Sequence, residues 1–273
     1  MVENQPNQPK WEKVLYQRNG YLDNYTDPKF LEEIKRNVHF EPVDSRTAVV
    51  KSTRISTQIS VTVIFWSLFL QLEEGNSMWE ISYGIFSFLI VAAYVISYRF
   101  NNIIPILKNL ILFIAVGYGC TPILKTLTDT ISTDTIYAMS VALMLVHIVF
   151  HQYGMEGGCV SPYVSLNAAF CGAICLASRL QETKHAFALL TLAVQAFALF
   201  PELYEALNYT LVAFMIMTSG AFVCMISISN VSAILFILAI TLVNLIFPLC
   251  FVWAQKYKDN IYGPWDEAMI FNR

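Results

Sequence analysis

From residue 55 onward the chain runs repeatedly for about 16 to 24 residues with few or no charged side chains. A helix rises 1.5 Å per residue, so runs of that length match a hydrocarbon core of about 30 Å, where the backbone must satisfy its own hydrogen bonds. Charge is segregated accordingly: 17 of the 37 acidic and basic side chains lie in the first 54 residues. Only 14% of all residues are charged, where a soluble domain carries about a quarter. The pattern specifies an all-α, polytopic membrane protein.

Three segments follow from it. Residues 1–54 form a soluble N-terminal segment, 55–255 a multi-helix transmembrane domain, and 256–273 a C-terminal tail. No apolar core follows the start, so no secretory signal peptide is expected. Within the first segment Asp27-Pro28 reads as a cap and first helical position, and Phe30, Leu31, Ile34 and Val38 as the apolar stripe of a short amphipathic helix. The apolar spans are placed at 55–72, 79–98, 103–119, 136–151, 162–178, 185–200, 209–229 and 231–255. That makes eight transmembrane helices, within a range of six to eight, because the last two are separated only by Asn230 and its neighbours. The span 162–178 is rich in Ser, Ala and Gly, residues that let helix backbones approach closely, which predicts an interior or partner-facing helix.

Lysine and arginine near the spans set orientation. Nine basic residues precede the first span, and Lys256, Lys258 and Arg273 follow the last, so both termini are expected in the cytosol. The net charge of −3 and the lack of a basic run exclude nucleic acid as a partner.

One polar island interrupts the apolar runs. Residues 121–140 hold six threonines, two serines, Lys125, Asp129 and Asp134. Ile123, Leu124, Leu127 and Ile131 recur at helical spacing, predicting a short amphipathic helix that starts at Pro122, with Lys125 and Asp129 paired on one face. Ser132, Thr133 and Asp134 all suit the N-cap of the helix that begins near Thr135. The island is either a cap and re-entry, or a surface for a partner or lipid headgroup. Lys125, Asp129, Asp134, Thr135, Tyr137, Arg179 and Trp265 are the candidate residues of that surface.

Other chemistry is sparse. His147 and His151 are four apart, a spacing that suits a metal, but no third ligand stands beside them and they read as interfacial or interhelical hydrogen-bonding residues. Cys171 and Cys175 share a helix face and read as small packing residues. There is no nucleotide-binding glycine loop, zinc motif or nucleophile–base arrangement, so neither catalytic residue nor cofactor is assigned. Ionisable groups are nearly absent from span centres, which disfavours an ion-coupled transporter. An integral scaffold subunit ranks first, a small-molecule or lipid transporter second, and an intramembrane enzyme third.

The residues themselves carry a resemblance. In order, the chain holds Trp11-Glu12-Lys13-Val14-Leu15-Tyr16, Asp23-Asn24-Tyr25, Phe30-Leu31-Glu32-Glu33 and Pro122-Ile123-Leu124-Lys125-Thr126-Leu127-Thr128. Then come the run from Ser132 to Val141, Cys175-Leu176-Ala177-Ser178-Arg179-Leu180, His185-Ala186-Phe187 and Gly263-Pro264-Trp265-Asp266-Glu267-Ala268. Together they resemble the phosphatidylinositol glycan class C family, which belongs to the phosphatidylinositol N-acetylglucosaminyltransferase complex. The resemblance implies a multi-pass subunit of the endoplasmic reticulum membrane in the first step of GPI-anchor biosynthesis. In that step N-acetylglucosamine passes from UDP-GlcNAc to phosphatidylinositol on the cytosolic face. It also implies that catalysis belongs to a separate glycosyltransferase of class A, that classes H, P, Q and Y are candidate neighbours, and that membrane lipid is a partner, with phosphatidylinositol the candidate lipid.

Overall fold

The structure is a computed structural model that describes residues 35–37, 40–75, 83–85, 87, 103–128, 130–154, 162–207 and 210–262. It divides into two compact units, one formed by Asp44–Phe251 and the other by Met1–Val43 with Val252–Arg273.

The larger unit is a helical bundle. Its first helix, α1 (Ser45–Glu73), starts where the Asp44 side chain accepts from the Arg46 amide and ends beside Gly75, whose φ of +68° suits a residue without a side chain. Then come α2 (Ile103–Thr126), α3 (Thr133–Phe150), α4 (Pro162–Ala177), α5 (Thr183–Val194) and α6 (Phe200–Leu207). A π turn at Gln195–Leu199 joins the last two. The chain continues through α7 (Thr210–Ile228), α8 (Asn230–Thr241), a second π turn at Leu242–Ile246 and α9 (Phe247–Ala254). Among the described residues five helical stretches are long and apolar enough to cross a membrane: Ser45–Glu73, Thr133–Phe150, Thr183–Tyr204, Thr210–Ile228 and Asn230–Tyr257. The α2 helix has 24 residues, and α4, at 16, is shorter.

The α1 helix is the centre of the bundle. Of the residues in its apolar window 67% are buried, against 11% in those of α7 and of Asn230–Tyr257. Val61, Phe65, Leu68 and Phe69 are buried in the core, with Phe65 edge-on to Phe197 at 5.1 Å between ring centroids. Lipid tails are as apolar as these side chains, so such contacts hold the bundle by close packing more than by escape from water. The helix is also longer than its apolar run. Its 29 residues span about 44 Å, so roughly nine exceed a 30 Å core, and the polar turns from Ser45 to Arg54 are its extension beyond the run that starts at 55.

The α4 helix is interior, as its small residues predict. Ala168, Ala169, Ala173 and Ala177 are buried, and a side chain at Gly172 would meet the Met144 methyl at 3.1 Å, which lets α3 and α4 pack closely. In contrast, α7 and α8 turn Leu211, Val212, Met215, Val223, Val231, Ile234 and Leu235 outward, an apolar surface that fits lipid or another membrane protein.

Pro122 does not start a helix. It lies inside α2, which continues unbroken to Thr126. Proline removes only the bond to the carbonyl four residues back and is tolerated within membrane helices. The expected separate amphipathic helix is therefore the last turn of a long one.

In the smaller unit β1 (Lys35–Arg36) pairs antiparallel with β2 (Ile261–Tyr262). The Asn37 amide donates to the Asn260 carbonyl at 2.8 Å, and Asn260 N donates back to Asn37 Oδ1 at 2.8 Å. Val43 N donates to Gln255 Oε1 at 2.7 Å, and Gln255 Nε2 returns a bond to Val43 O at 3.1 Å. Lys35 and Arg36, expected near the end of the helix after Asp27-Pro28, are thus strand residues, and positions 27–34 lie outside the described residues.

Candidate functional site

Polar side chains gather at both ends of the bundle. At the end where α1 terminates, the turn between α2 and α3 is held by Arg179, which follows α4. Its guanidinium donates from Nη2 to the Thr128 carbonyl at 2.6 Å and from Nη1 to the Ile131 carbonyl at 3.1 Å, while Nε donates to Ser178 Oγ at 3.1 Å. Thr128 Oγ1 donates to the same Ser178 oxygen at 2.7 Å. A planar guanidinium presents donors to two carbonyls in a fixed fork, a geometry that an ammonium's rotatable donors do not hold. Lys125 Nζ donates to the Gln181 carbonyl, fixing the end of α2 to the same connection. The Tyr137 hydroxyl donates to Glu73 Oε1, and its ring lies edge-on to Phe69 at 6.0 Å. This end is therefore built from the last turns of α1, α2 and α4 and the first of α3, and it lies a full α1 length from Ser45.

Of the seven candidate residues, Lys125, Tyr137 and Arg179 come together here. Asp134 is exposed in the first turn of α3, where its charge suits the helix N-terminus. The N-cap is Ser132, and its hydroxyl bonds Thr135 Oγ1 at 2.7 Å without capping the backbone. Asp129 and Trp265 lie outside the described residues, so the expected Lys125–Asp129 pair does too.

The second cluster lies at the opposite end and its principal member is deeply buried. His147 has no exposed surface, and its Nε2 receives Gln58 Nε2 at 2.6 Å. Its Nδ1 faces the Ser165 carbonyl at 3.0 Å, and the Ser165 hydroxyl donates to the His147 carbonyl at 2.9 Å. These distances fit an imidazole that carries its proton on Nδ1. The ring packs edge-on to Phe197 at 4.8 Å, so α1, α3, α4 and the first π turn meet at one histidine. Interhelical hydrogen bonding, the reading of this residue from the sequence, is what it does. Beyond the end of α3, Arg54 Nη1 donates to the Tyr153 carbonyl at 3.1 Å. Gly154 admits that guanidinium, because a side chain there would lie 1.9 Å from Nη1. His151, just past α3, is kept neutral: burial, and then His147, push its pKa down to about 4. Among the described residues no three His, Cys, Asp or Glu side chains come together as a metal-holding group.

Glu73, Gln58 and Ser165 are site residues that the sequence does not single out. A signal for Gln58 exists: Ser52, Thr53, Ser56, Thr57, Gln58, Ser60 and Thr62 crowd one stretch of α1, and all are buried. Both clusters hold and orient. Their donors face carbonyls, a hydroxyl, a carboxylate and an imidazole of the chain itself.

A family model described as GPI2, phosphatidylinositol N-acetylglucosaminyltransferase, matches residues 11–266. The chain is 38% identical over 283 residues to a Homo sapiens protein named as the C subunit of phosphatidylinositol N-acetylglucosaminyltransferase, covering 96% of this chain and 93% of that protein. The Rattus norvegicus protein of the same name is 37% identical over 282 residues, with the same coverage. A Schizosaccharomyces pombe protein named phosphatidylinositol N-acetylglucosaminyltransferase GPI2 subunit is 31% identical over 281 residues, covering 95% of this chain and 86% of that one. No solved structure matches the chain.

Proposed function

The chain belongs to the GPI2 family, and we propose that it is the GPI2-type membrane component of the complex that transfers N-acetylglucosamine from UDP-GlcNAc to phosphatidylinositol, the first step of GPI-anchor biosynthesis. The family match over residues 11–266 carries this reading, since it takes in nearly all of the described bundle. The bundle's polar clusters hold helices and turns, which suits a component that supports a separate catalytic chain. Removing the chain from cells is expected to abolish both labelled N-acetylglucosaminyl-phosphatidylinositol in microsomes and anchored proteins at the surface. Re-expression is expected to restore both, while the purified chain alone transfers nothing. Persistence of the labelled lipid in cells without the chain would reject the assignment.

The finer reading is a class A glycosyltransferase as catalytic partner, classes H, P, Q and Y as further neighbours, and the endoplasmic reticulum membrane as location. The outward apolar faces of α7 and α8 are the surface we assign to lipid and partner helices, and exposed Asp134 and Thr135 the headgroup-level contact. Eight spans with both termini in the cytosol is the topology. The pairing of residues 35–43 with 255–262 supports it, because an even number of crossings returns the chain to the side it left. Protease added to sealed microsomes should then remove tags from both ends. Protection of one tag would mean an odd number of spans.

A further inference from the structure

A cleft of about 140 Å³ opens beside the His147 cluster, at the C-terminal end of α3. Its walls divide by chemistry. Phe197, Ala198 and Leu166 supply an apolar side, and His151, Gln152 and Glu202 a polar one. The π turn Gln195–Leu199 puts Phe197 and Ala198 there, and π turns within helices recur at functional sites. Both nitrogens of His147 are engaged with Gln58 and Ser165, so the ring is a fixed wall. The imidazole of His151, the amide of Gln152 and the carboxylate of Glu202 make no hydrogen bond to another described residue, which leaves them to a guest. Among the described residues no lysine or arginine lines the cleft, and the one formal charge they bring to it is negative. A phosphate is therefore refused, whereas a ring bearing hydroxyls on its edge and C–H groups on its face is matched on both sides. The cleft is at the end of α3, where the chain leaves the apolar run and a lipid headgroup sits.

We propose that this cleft binds the polyhydroxylated ring of an inositol phospholipid, with Glu202 and His151 accepting or donating to ring hydroxyls and Phe197 packing on the ring face. The proposal rests on the reading of the chain as part of a complex acting on phosphatidylinositol, and assigns the acceptor's ring to this chain. The phosphate and acyl chains remain outside, in the membrane. Filling the cleft or removing its carboxylate costs ring binding without touching the Arg179 turn at the other end.

The test is made on the full purified chain in detergent, with unfolding temperature read during titration by short-chain phosphatidylinositol. Short-chain phosphatidylglycerol, which has the same charge and no ring, free myo-inositol and UDP-GlcNAc are the comparison arms. Phosphatidylinositol alone is expected to raise the unfolding temperature as a lipid ligand; a matching rise with myo-inositol at higher concentration is expected from the shared ring. Glu202→Gln should weaken binding by about tenfold to a hundredfold, the loss of a charge-assisted hydrogen bond, and Ala198→Phe should abolish it by occupying the cleft. If a variant does not fold, a photoreactive inositol lipid on the unaltered chain must label residues 151–154 or 198–202. An equal response to phosphatidylglycerol, a response to UDP-GlcNAc alone, unchanged binding by both variants, or labelling elsewhere overturns the proposal. The two levels are separable in cells. If the unaltered chain fails to restore anchored proteins, the family reading falls. If it restores them and the Ala198→Phe and Glu202→Gln chains do so with unchanged phosphatidylinositol dependence, only the cleft falls.

Discussion

Replacing Arg179 by alanine is expected to free the turn between α2 and α3 and to remove most of the chain's support for anchored-protein synthesis. The substitution deletes two charge-assisted bonds to the Thr128 and Ile131 carbonyls and one to Ser178. Such bonds contribute about 1.5–3 kcal/mol each. Arg179 is only half-buried, so water recovers part of the loss and about 3 kcal/mol is the expected local cost. That is roughly a hundredfold in the equilibrium between a held and a free turn. Lysine should rescue poorly, because its ammonium is a point charge and cannot serve both carbonyls in one plane. The measurement is surface anchored protein in cells lacking the chain, with chain level and partner recovery followed together. Asp134→Asn is the companion variant. Its side chain is exposed and takes no part in the Arg179 bonds, so a loss there at normal chain level reports a contact made outside this chain. Full restoration by both Arg179→Ala and Arg179→Lys would reduce the turn to a passive connection.

The same residue marks where sequence reasoning stops. A lone arginine between apolar runs looks available, which makes Arg179 a surface candidate. Besides the Ser178 hydroxyl its partners are the backbone carbonyls of Thr128 and Ile131, and a carbonyl is a group every residue has and no side-chain pattern advertises. Lys125 is alike: the spacing points to the carboxylate of Asp129, which lies outside the described residues, while the partner the structure does show is the carbonyl of Gln181. Tyr137 and Glu73 are 64 positions apart, and nothing local links them.

The spans are more legible, because length and lack of charge are properties a membrane imposes directly. Even so, the start of α1 is hidden by its hydroxyls. Residues 45 to 54 read as polar, soluble chain, and the hydroxyls of the span placed from 55 interrupt its apolar pattern. In the helix Thr57, Ser60 and Thr62 donate to the carbonyls four residues earlier, Thr53, Ser56 and Gln58. A hydroxyl satisfied by its own helix is cheap to bury, so a stretch dotted with hydroxyls becomes the middle of the bundle. The polar island at 121–140 draws attention for the opposite reason. It is conspicuous, but it forms a turn at one end, and the helix that the others pack around is α1.

One of those α1 side chains, Gln58, gives the second large effect through its partner on α3, His147. His147→Leu is expected to destabilise the bundle strongly, while the double substitution with Gln58→Leu costs less than the single. Neither residue has exposed surface, and Gln58 Oε1 has no partner. Removing the imidazole alone leaves the Gln58 amide wholly unpaired and takes a donor from the Ser165 carbonyl. Each unsatisfied buried group costs about 1–3 kcal/mol, so the single change costs roughly 2–6 kcal/mol in a place water does not reach. Substituting both partners by leucine removes the orphaned amide together with its partner, and replacing both members of a buried pair by apolar groups of similar shape approaches neutrality. Phe197 and Phe65 remain beside the site to pack against the new side chains. The coupling between the two positions should therefore be about 0.5–3 kcal/mol, with the double variant the more stable of the two. Unfolding temperature in detergent for the unaltered chain, both singles and the double measures it. Additive losses would mean that the two residues stabilise the bundle independently, and that their 2.6 Å contact carries no coupling.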